Sequence, residues 1–253
     1  MNQNYNNFNN NNDNRNFNDM NLDPIDMTRN YGNQVRQIIQ ESEVISKSFL
    51  FMGLALLLTA LSAIITANTD FVYILGDRFT FYGIIFAELA IVIGATQAMK
   101  KNMLALSAIL FTLYSIINGV TLSIIFFIYT QQSIMYVFVV TSILFFVMAV
   151  IGLVTKVDLS RMGGILLMGL VGIIIASVAN MFFKNNTMDF LLTILGIGIF
   201  MGLTAYDMQK IKRMQYGNPG YSANVLALYG AMSIYLDFIN LFLRLLNLLG
   251  KKR

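Results

Sequence analysis

The chain contains no cysteine and no histidine. Without cysteine there is no disulfide, no thiol nucleophile and no thiolate-bound metal. Without histidine, Ser-His-Asp catalysis, imidazole metal sites and the usual pH-sensing side chain are all excluded. Any response to pH near neutrality has to come from carboxylates in unusual surroundings. Proline is nearly absent as well, with Pro24 and Pro219 alone, and charge is scarce at 12% of residues. What fills the space is apolar: 57% of 253 residues, with a mean hydropathy of +0.64. Runs of about 20 apolar residues recur, and each is long enough to cross a bilayer. The composition is that of a polytopic membrane protein. The net charge of +4 sits in short loops, where it reports topology and gives no reason to invoke nucleic acid.

Residues 1–34 form an Asn-rich tract with almost no aliphatic content before Met20. It cannot bury a core and is expected to be a disordered cytoplasmic tail. It has neither the basic start nor the apolar centre of a cleaved signal peptide. Residues 35–47 are mixed and read as an interfacial segment leading into a membrane domain over 48–253. Seven spans follow, at Ser48–Ala67, Thr80–Ala98, Met103–Tyr129, Ser133–Thr155, Gly163–Phe183, Met188–Asp207 and Asn224–Gly250. All are expected to be helices, because a lone helix satisfies its own backbone in lipid. Gly198 and Gly202 form a GxxxG spacing, which signals tight packing and nothing more specific.

Loop charge sets the orientation. Lys100 and Lys101 follow the second span, Lys156 and Arg161 the fourth, and Lys210, Lys212 and Arg213 the sixth. The alternate loops are poor in bases or balanced by acids: Arg78 sits beside Asp70 and Asp77, and Lys184 is offset by Asp189. The amino terminus is therefore expected in the cytoplasm. The last segment exceeds the length a crossing needs, so it is expected to span fully. That places Lys251, Lys252 and Arg253 on the far side, against the charge rule.

That last segment carries an unusual stripe. Wound as a helix, it aligns Ser233, Asp237, Asn240, Arg244 and Asn247 at steps of four, three, four and three. A carboxylate and a guanidinium in a hydrophobic span are costly, so the stripe should face protein or water. It reads either as a polar seam joining helices or as the wall of an ion path. Two other acids stand out: Glu88 in the second span, and Asp207 at the end of the sixth. A turn-forming cluster, Gly217-Asn218-Pro219-Gly220, separates the sixth span from the seventh. The two form an antiparallel pair, so Asp207 and Asp237 can approach one another. Two carboxylates close together in a low-dielectric setting cannot both ionise cheaply, and they titrate as a unit. Protonated, they share a proton; ionised, they repel each other and attract a divalent cation, for which oxygen donors suit calcium. The plainer alternative is that Asp207 pairs with Lys210 at a solvated helix end.

The string Gly202-Leu-Thr-Ala-Tyr-Asp-Met-Gln-Lys-Ile-Lys212, followed by Tyr235-Leu-Asp-Phe-Ile-Asn-Leu-Phe242, resembles the Bax inhibitor-1 family of membrane proteins, in the manner of its bacterial members. Phe51-Met-Gly-Leu-Ala-Leu-Leu-Leu-Thr-Ala-Leu61 looks like that family's opening span, and Glu88-Leu like its second-span acidic position. The similarity runs from about Ser46 to the carboxyl end. It implies an all-α integral membrane protein of seven helices, the last one central and enclosed by two three-helix layers. It implies calcium leak controlled by pH through two aspartates, which by motif position are Asp207 and Asp237. Those same two residues are then the candidate calcium ligands, with Glu88, Ser233, Asn240 and Arg244 along the ion pathway. A basic residue near the end of the second span should engage the sixth-span aspartate. Lys100 or Lys101 is the candidate here, in place of an arginine.

No cofactor is expected, with calcium as the permeant ion and the bilayer, calcium and protons as partners. A bacterial inner membrane is the expected location, since the loops are compact. Two further readings are a proton-coupled transporter and a scaffold that works through protein partners. An intramembrane aspartyl protease also uses paired aspartates, and Tyr206-Asp207 resembles its motif. The Gly-x-Gly-Asp and Pro-Ala-Leu sequences of such enzymes are missing, so no enzyme activity is expected.

Overall fold

The computed structural model describes residues 24–70, 77–217 and 220–253. The described residues form eight helices: α1 (Pro24–Ala67), α2 (Arg78–Lys100), α3 (Leu104–Leu122), α4 (Ile125–Ile128), α5 (Gln131–Val154), α6 (Ser160–Phe183), α7 (Asn186–Gly217) and α8 (Ala223–Leu249). No strand occurs among them, only an isolated bridge between Tyr129 and Lys252. Seven stretches are long and apolar enough to cross a membrane, with α3 and α4 sharing the third. The protein is an all-α integral membrane protein. Contacts divide the chain at Ile39, and residues 40–253 form the unit that carries the seven spans.

Burial singles out α8. Of its most apolar window 78% is buried within the protein, against 6–39% in the other six. Leu, Ile, Phe and Met side chains facing outward on the other helices are what a lipid-facing surface requires. α8 is the central helix: α1, α2 and α3 meet it on one side, α5 and α7 on another, and α6 packs on α7. Aromatic side chains lock it on both sides. Phe238 meets Phe138 and Phe145 edge-on at 5.5 and 5.4 Å, and Tyr235 meets Phe111 and Tyr114 at 5.7 and 5.8 Å. Such offset pairs add to the packing of a core that lacks a hydrophobic drive between helices.

Small residues set how closely the layers approach. A Cβ on Gly119 would collide with the Thr59 carbonyl of α1, and one on Gly152 with the Ala205 backbone of α7. The GxxxG pair is less decisive: Gly202 packs on Leu166, while nothing lies within 4 Å of where a Gly198 side chain would begin. Buried Ser and Thr hydroxyls at 48, 59, 107, 115, 141 and 204 donate to the carbonyl four residues earlier. That bond satisfies the hydroxyl inside an apolar medium.

The connections that follow α2, α5 and α7 lie at one end. Tyr221 Oη donates to the Lys100 carbonyl at 2.7 Å, and the Ser222 amide donates to Asn102 Oδ1 at 3.2 Å. Gln209 Nε2 donates to the Val157 carbonyl, the Leu159 amide donates to Gln209 Oε1, and Arg213 pairs with Asp158 at 2.7 Å. Arg213 and two donors at Ser160 hold the Asp158 carboxyl down to a pKa of about 2. At the opposite end, the Asp77 carboxyl caps α2 by accepting the Thr80 amide and hydroxyl, which lowers its pKa. The basic loops named from the sequence therefore share one face of the bundle.

Three features differ from the sequence reading, and a fourth, the full length of α8, agrees with it. Helix α1 begins at Pro24, inside the tract assigned to a tail. Proline after Asp23 is a helix-start signal that composition alone obscures. Residues 1–23 lie outside the described residues, as do Asn218 and Pro219 of the predicted turn. The third span is interrupted at Ser123 and Ile124, where α3 gives way to the single turn of α4. The sixth helix does not stop at Asp207 but runs to Gly217, with Met208, Ile211 and Met214 buried and Ile211 against Gly230 of α8. Finally, α8 is continuous over 27 residues, about 40 Å at 1.5 Å per residue, which exceeds the ~30 Å hydrocarbon core. Its end pairs with the α4–α5 connection, so it traverses the bundle completely.

Candidate functional site

Helices α7 and α8 run antiparallel, and the polar stripe of α8 lies along their seam. Four contacts fix the register. Lys210 meets Tyr229, Asp207 accepts the Ser233 hydroxyl, Gly196 lies against the aliphatic part of Arg244, and Asp189 and Thr193 receive the Asn247 amide. As the α7 number falls, the α8 number rises, as an antiparallel pair demands.

The acidic pair sits toward the basic end of this seam. Asp237 is 5% exposed, and its Oδ2 is buried with no hydrogen-bond partner. The charge it feels most directly is Asp207, one helix away. Asp207 is half-buried and receives the Ser233 hydroxyl. Lys210, one turn beyond Asp207 on α7, acts electrostatically on both carboxylates. Its ammonium donates to Tyr229 Oη at 3.3 Å and stands 5.1 and 5.9 Å from the centroids of the Tyr229 and Tyr206 rings. Two aromatic faces stabilise a cation that has left bulk water.

Below the basic end this group opens into a cavity of about 440 Å³ whose walls include Lys100, Tyr206, Lys210, Arg213, Tyr221 and Tyr229. Lys100 is thus at the mouth, and the lysine that acts on Asp207 is Lys210. Lys101 is exposed in the turn after α2. Lys210 was legible as a neighbour of Asp207 by its i+3 spacing. The tyrosines that hold it were not, because they belong to no polar motif.

Glu88 lies elsewhere. It accepts the Thr121 hydroxyl at 2.6 Å and is flanked by Tyr114 and Tyr235 on the far side of α8. Tyr235 Oη lies 2.7 Å from Thr59 Oγ1 and donates to Asn118 Oδ1 at 3.1 Å, which ties α8 to α1 and α3. Positions 235 and 237 are about 200° apart around a helix, so Glu88 and Asp207 address opposite faces of α8. Asn240 turns its amide to the Leu236 carbonyl at 2.7 Å. Arg244 is partly buried near Asp189, deeper in the same seam.

Among the described residues no cluster of three or more acidic side chains exists. Two carboxylates and a hydroxyl fall short of the six to eight oxygens of a resident calcium site.

The sequence profile described as "Inhibitor of apoptosis-promoting Bax1" matches residues 41–253. An uncharacterized protein of Borreliella burgdorferi is 40% identical over 233 residues, covering 90% of this chain and 99% of its own. The Escherichia coli K12 inner membrane protein YbhL is 41% identical over 208 residues, 80% of this chain and 89% of its own. An uncharacterized protein of Rickettsia prowazekii is 41% identical over 210 residues, 82% and 89% of the two chains.

Proposed function

The chain belongs to the Bax inhibitor-1 family, and from that premise we propose that it is a pH-sensitive, calcium-permeable leak path gated by Asp207 and Asp237. The observation that carries this reading is the buried, unpartnered Oδ2 of Asp237 beside a second carboxylate. Structural carboxylates spend their oxygens on donors. An oxygen kept dry and uncommitted is available to a proton or a passing cation.

When the pair holds a shared proton, the two carboxyls attract and the α7–α8 seam is closed at that level. When both are ionised they repel, and the seam gains two negative oxygens that draw a divalent cation inward. Ser233 steadies Asp207 in either state. Asn240 and Arg244 lie further along the same seam, and Glu88 acts on α8 from its other flank. The E. coli relative is named for the inner membrane, and the basic loops favour a cytoplasmic amino terminus. Calcium is substrate here, no cofactor is required, and the protein is not an enzyme.

Lys210 supports a second reading. A fixed cation at the carboxylate pair opposes a divalent ion but helps a proton move between Asp207 and Asp237, as in a proton-coupled transporter. Calcium flux into liposomes holding the purified protein, stepped from about pH 8 to 6, separates the two. Flux that changes with pH, and that Asp207→Asn or Asp237→Asn alters, supports the leak path. Flux that requires a proton gradient supports the transporter. No flux at any pH from folded protein moves the reading to a partner-dependent scaffold.

A further inference from the structure

Three bases end the chain at the face of the bundle opposite the basic loops, against the distribution of charge that orients membrane helices. They are also held there. The Thr130 amide donates to the Lys251 carbonyl at 3.1 Å, the Arg253 amide to the Ile128 carbonyl at 2.9 Å, and the Lys251 amide to Ser133 Oγ at 3.0 Å. Gly250 makes the strap possible, since a Cβ there would enter the Tyr129 ring. Backbone bonds thus pin Lys251–Arg253 while their side chains stay exposed. Among the described residues no ion pair engages those side chains. Asp189 is the acid whose charge reaches this end, through Tyr129, and it is already bonded to Asn247.

Beside the strap lies a cavity of about 930 Å³. It opens because the third span breaks at Ser123 and because α1 presents Ala60, Ala63 and Ala67 on one face. Most of its walls are apolar, Phe126 and Phe238 among them. Its polar lining residues are Thr59, Asn68, Gln131, Gln132 and Arg253. An apolar chamber within the spans, with Arg253 in its wall and the exposed Lys251 and Lys252 next to it in the strap, has the charge and shape to take an amphiphile with an anionic head.

We infer that this cavity is a binding site for an anionic phospholipid, whose acyl chains occupy the space between α1, α4, α5 and α8 and whose phosphate is held by Lys251, Lys252 and Arg253. Bases on the wrong side of the charge rule then have a counter-ion, and the strap has a task. The site touches α8 through Phe238, one residue from Asp237, but the inference stands whether or not calcium passes the seam.

Native mass spectrometry of the full-length protein in detergent, offered equal amounts of phosphatidylglycerol and phosphatidylcholine with the same chains, tests it. Wild-type protein should retain phosphatidylglycerol preferentially. The combined Lys251→Gln, Lys252→Gln and Arg253→Gln variant should lose that preference by on the order of tenfold to a hundredfold while still retaining lipid. Ala60→Phe fills the chamber from an exposed position, so the core is not crowded, and it should reduce retention of both lipids. Glycerol phosphate, the head without chains, should not displace the bound lipid. Equal retention of both lipids, a preference that survives the triple variant, unchanged retention in Ala60→Phe, or displacement by glycerol phosphate would each overturn the inference. Melting temperature and gel-filtration profile establish that each variant is folded.

Discussion

The Lys210 ammonium lies 5.1 Å from the centroid of the Tyr229 ring and donates to its hydroxyl at 3.3 Å, while its charge acts on Asp207 and Asp237 together. A cation fixed beside the proposed gate sets how strongly the pair can draw a second cation. Lys210→Met should therefore raise calcium flux at fixed pH, by on the order of tenfold for one charge removed at close range in a partly screened site. Tyr229→Phe should move flux in the same direction by less. Flux that is unchanged or lower in Lys210→Met would place the conducting path away from this seam.

Asp237 buries an oxygen that no donor satisfies. Replacing it with Asn removes a buried ionisable group, so Asp237→Asn should leave thermal stability unchanged or increase it by about 1 kcal/mol. In the same variant the pH response of flux should disappear. A protein that melts well below wild type would show that Asp237 is structural glue, the plainer reading of the stripe.

The Asp158–Arg213 pair offers an internal control for pH. Bonding to Arg213 depresses the folded pKa of Asp158 from 3.8 to about 2, so its contribution is present above the unfolded value and is lost as pH falls through the folded one. The difference in melting temperature between wild type and Arg213→Gln should be constant from about pH 8 to 6 and shrink only below pH 4. A difference that varies between pH 8 and 6 would mean that this clamp contributes to any response seen in the flux assay.

Two glycines separate close packing from open surface. At Gly152 a Cβ meets the Ala205 backbone, whereas at Gly172 nothing lies within 4 Å. Gly152→Ala should destabilise the bundle by about 1–3 kcal/mol through overpacking. Gly172→Ala should be neutral or stabilising by up to about 1 kcal/mol, since alanine gives up less freedom in a helix. Equal melting temperatures for the two variants would contradict the α5–α7 spacing described here.

Tyr235 joins three helices through one hydroxyl. Tyr235→Phe strands Asn118 Oδ1 and should lower stability by about 1–3 kcal/mol. Because Thr59 keeps its bonds to the Ala55 and Ser115 carbonyls, the loss should stop there. A neutral Tyr235→Phe would show that the hydroxyl is dispensable to the α1–α3–α8 junction.

The sequence alone carried the membrane class, the seven crossings and the family, because hydropathy over about 20 residues is a local signal. It also determined the stripe from Ser233 to Asn247, since helical periodicity needs no partner to be read. The fold was needed to show what the stripe faces, which tyrosines hold Lys210, and that Glu88 lies across α8 from the pair. Those are facts about which helix neighbours which and in what register, and lipid-facing and protein-facing apolar residues look alike in a sequence. The end of α7 escaped the sequence for a related reason: its last turns carry charge, and a hydropathy window stops where charge begins even when the helix continues. The strap at Lys251–Arg253 was visible only as an exception to the charge rule. The backbone bonds that hold it depend on bringing residue 129 to residue 252, which no local pattern encodes.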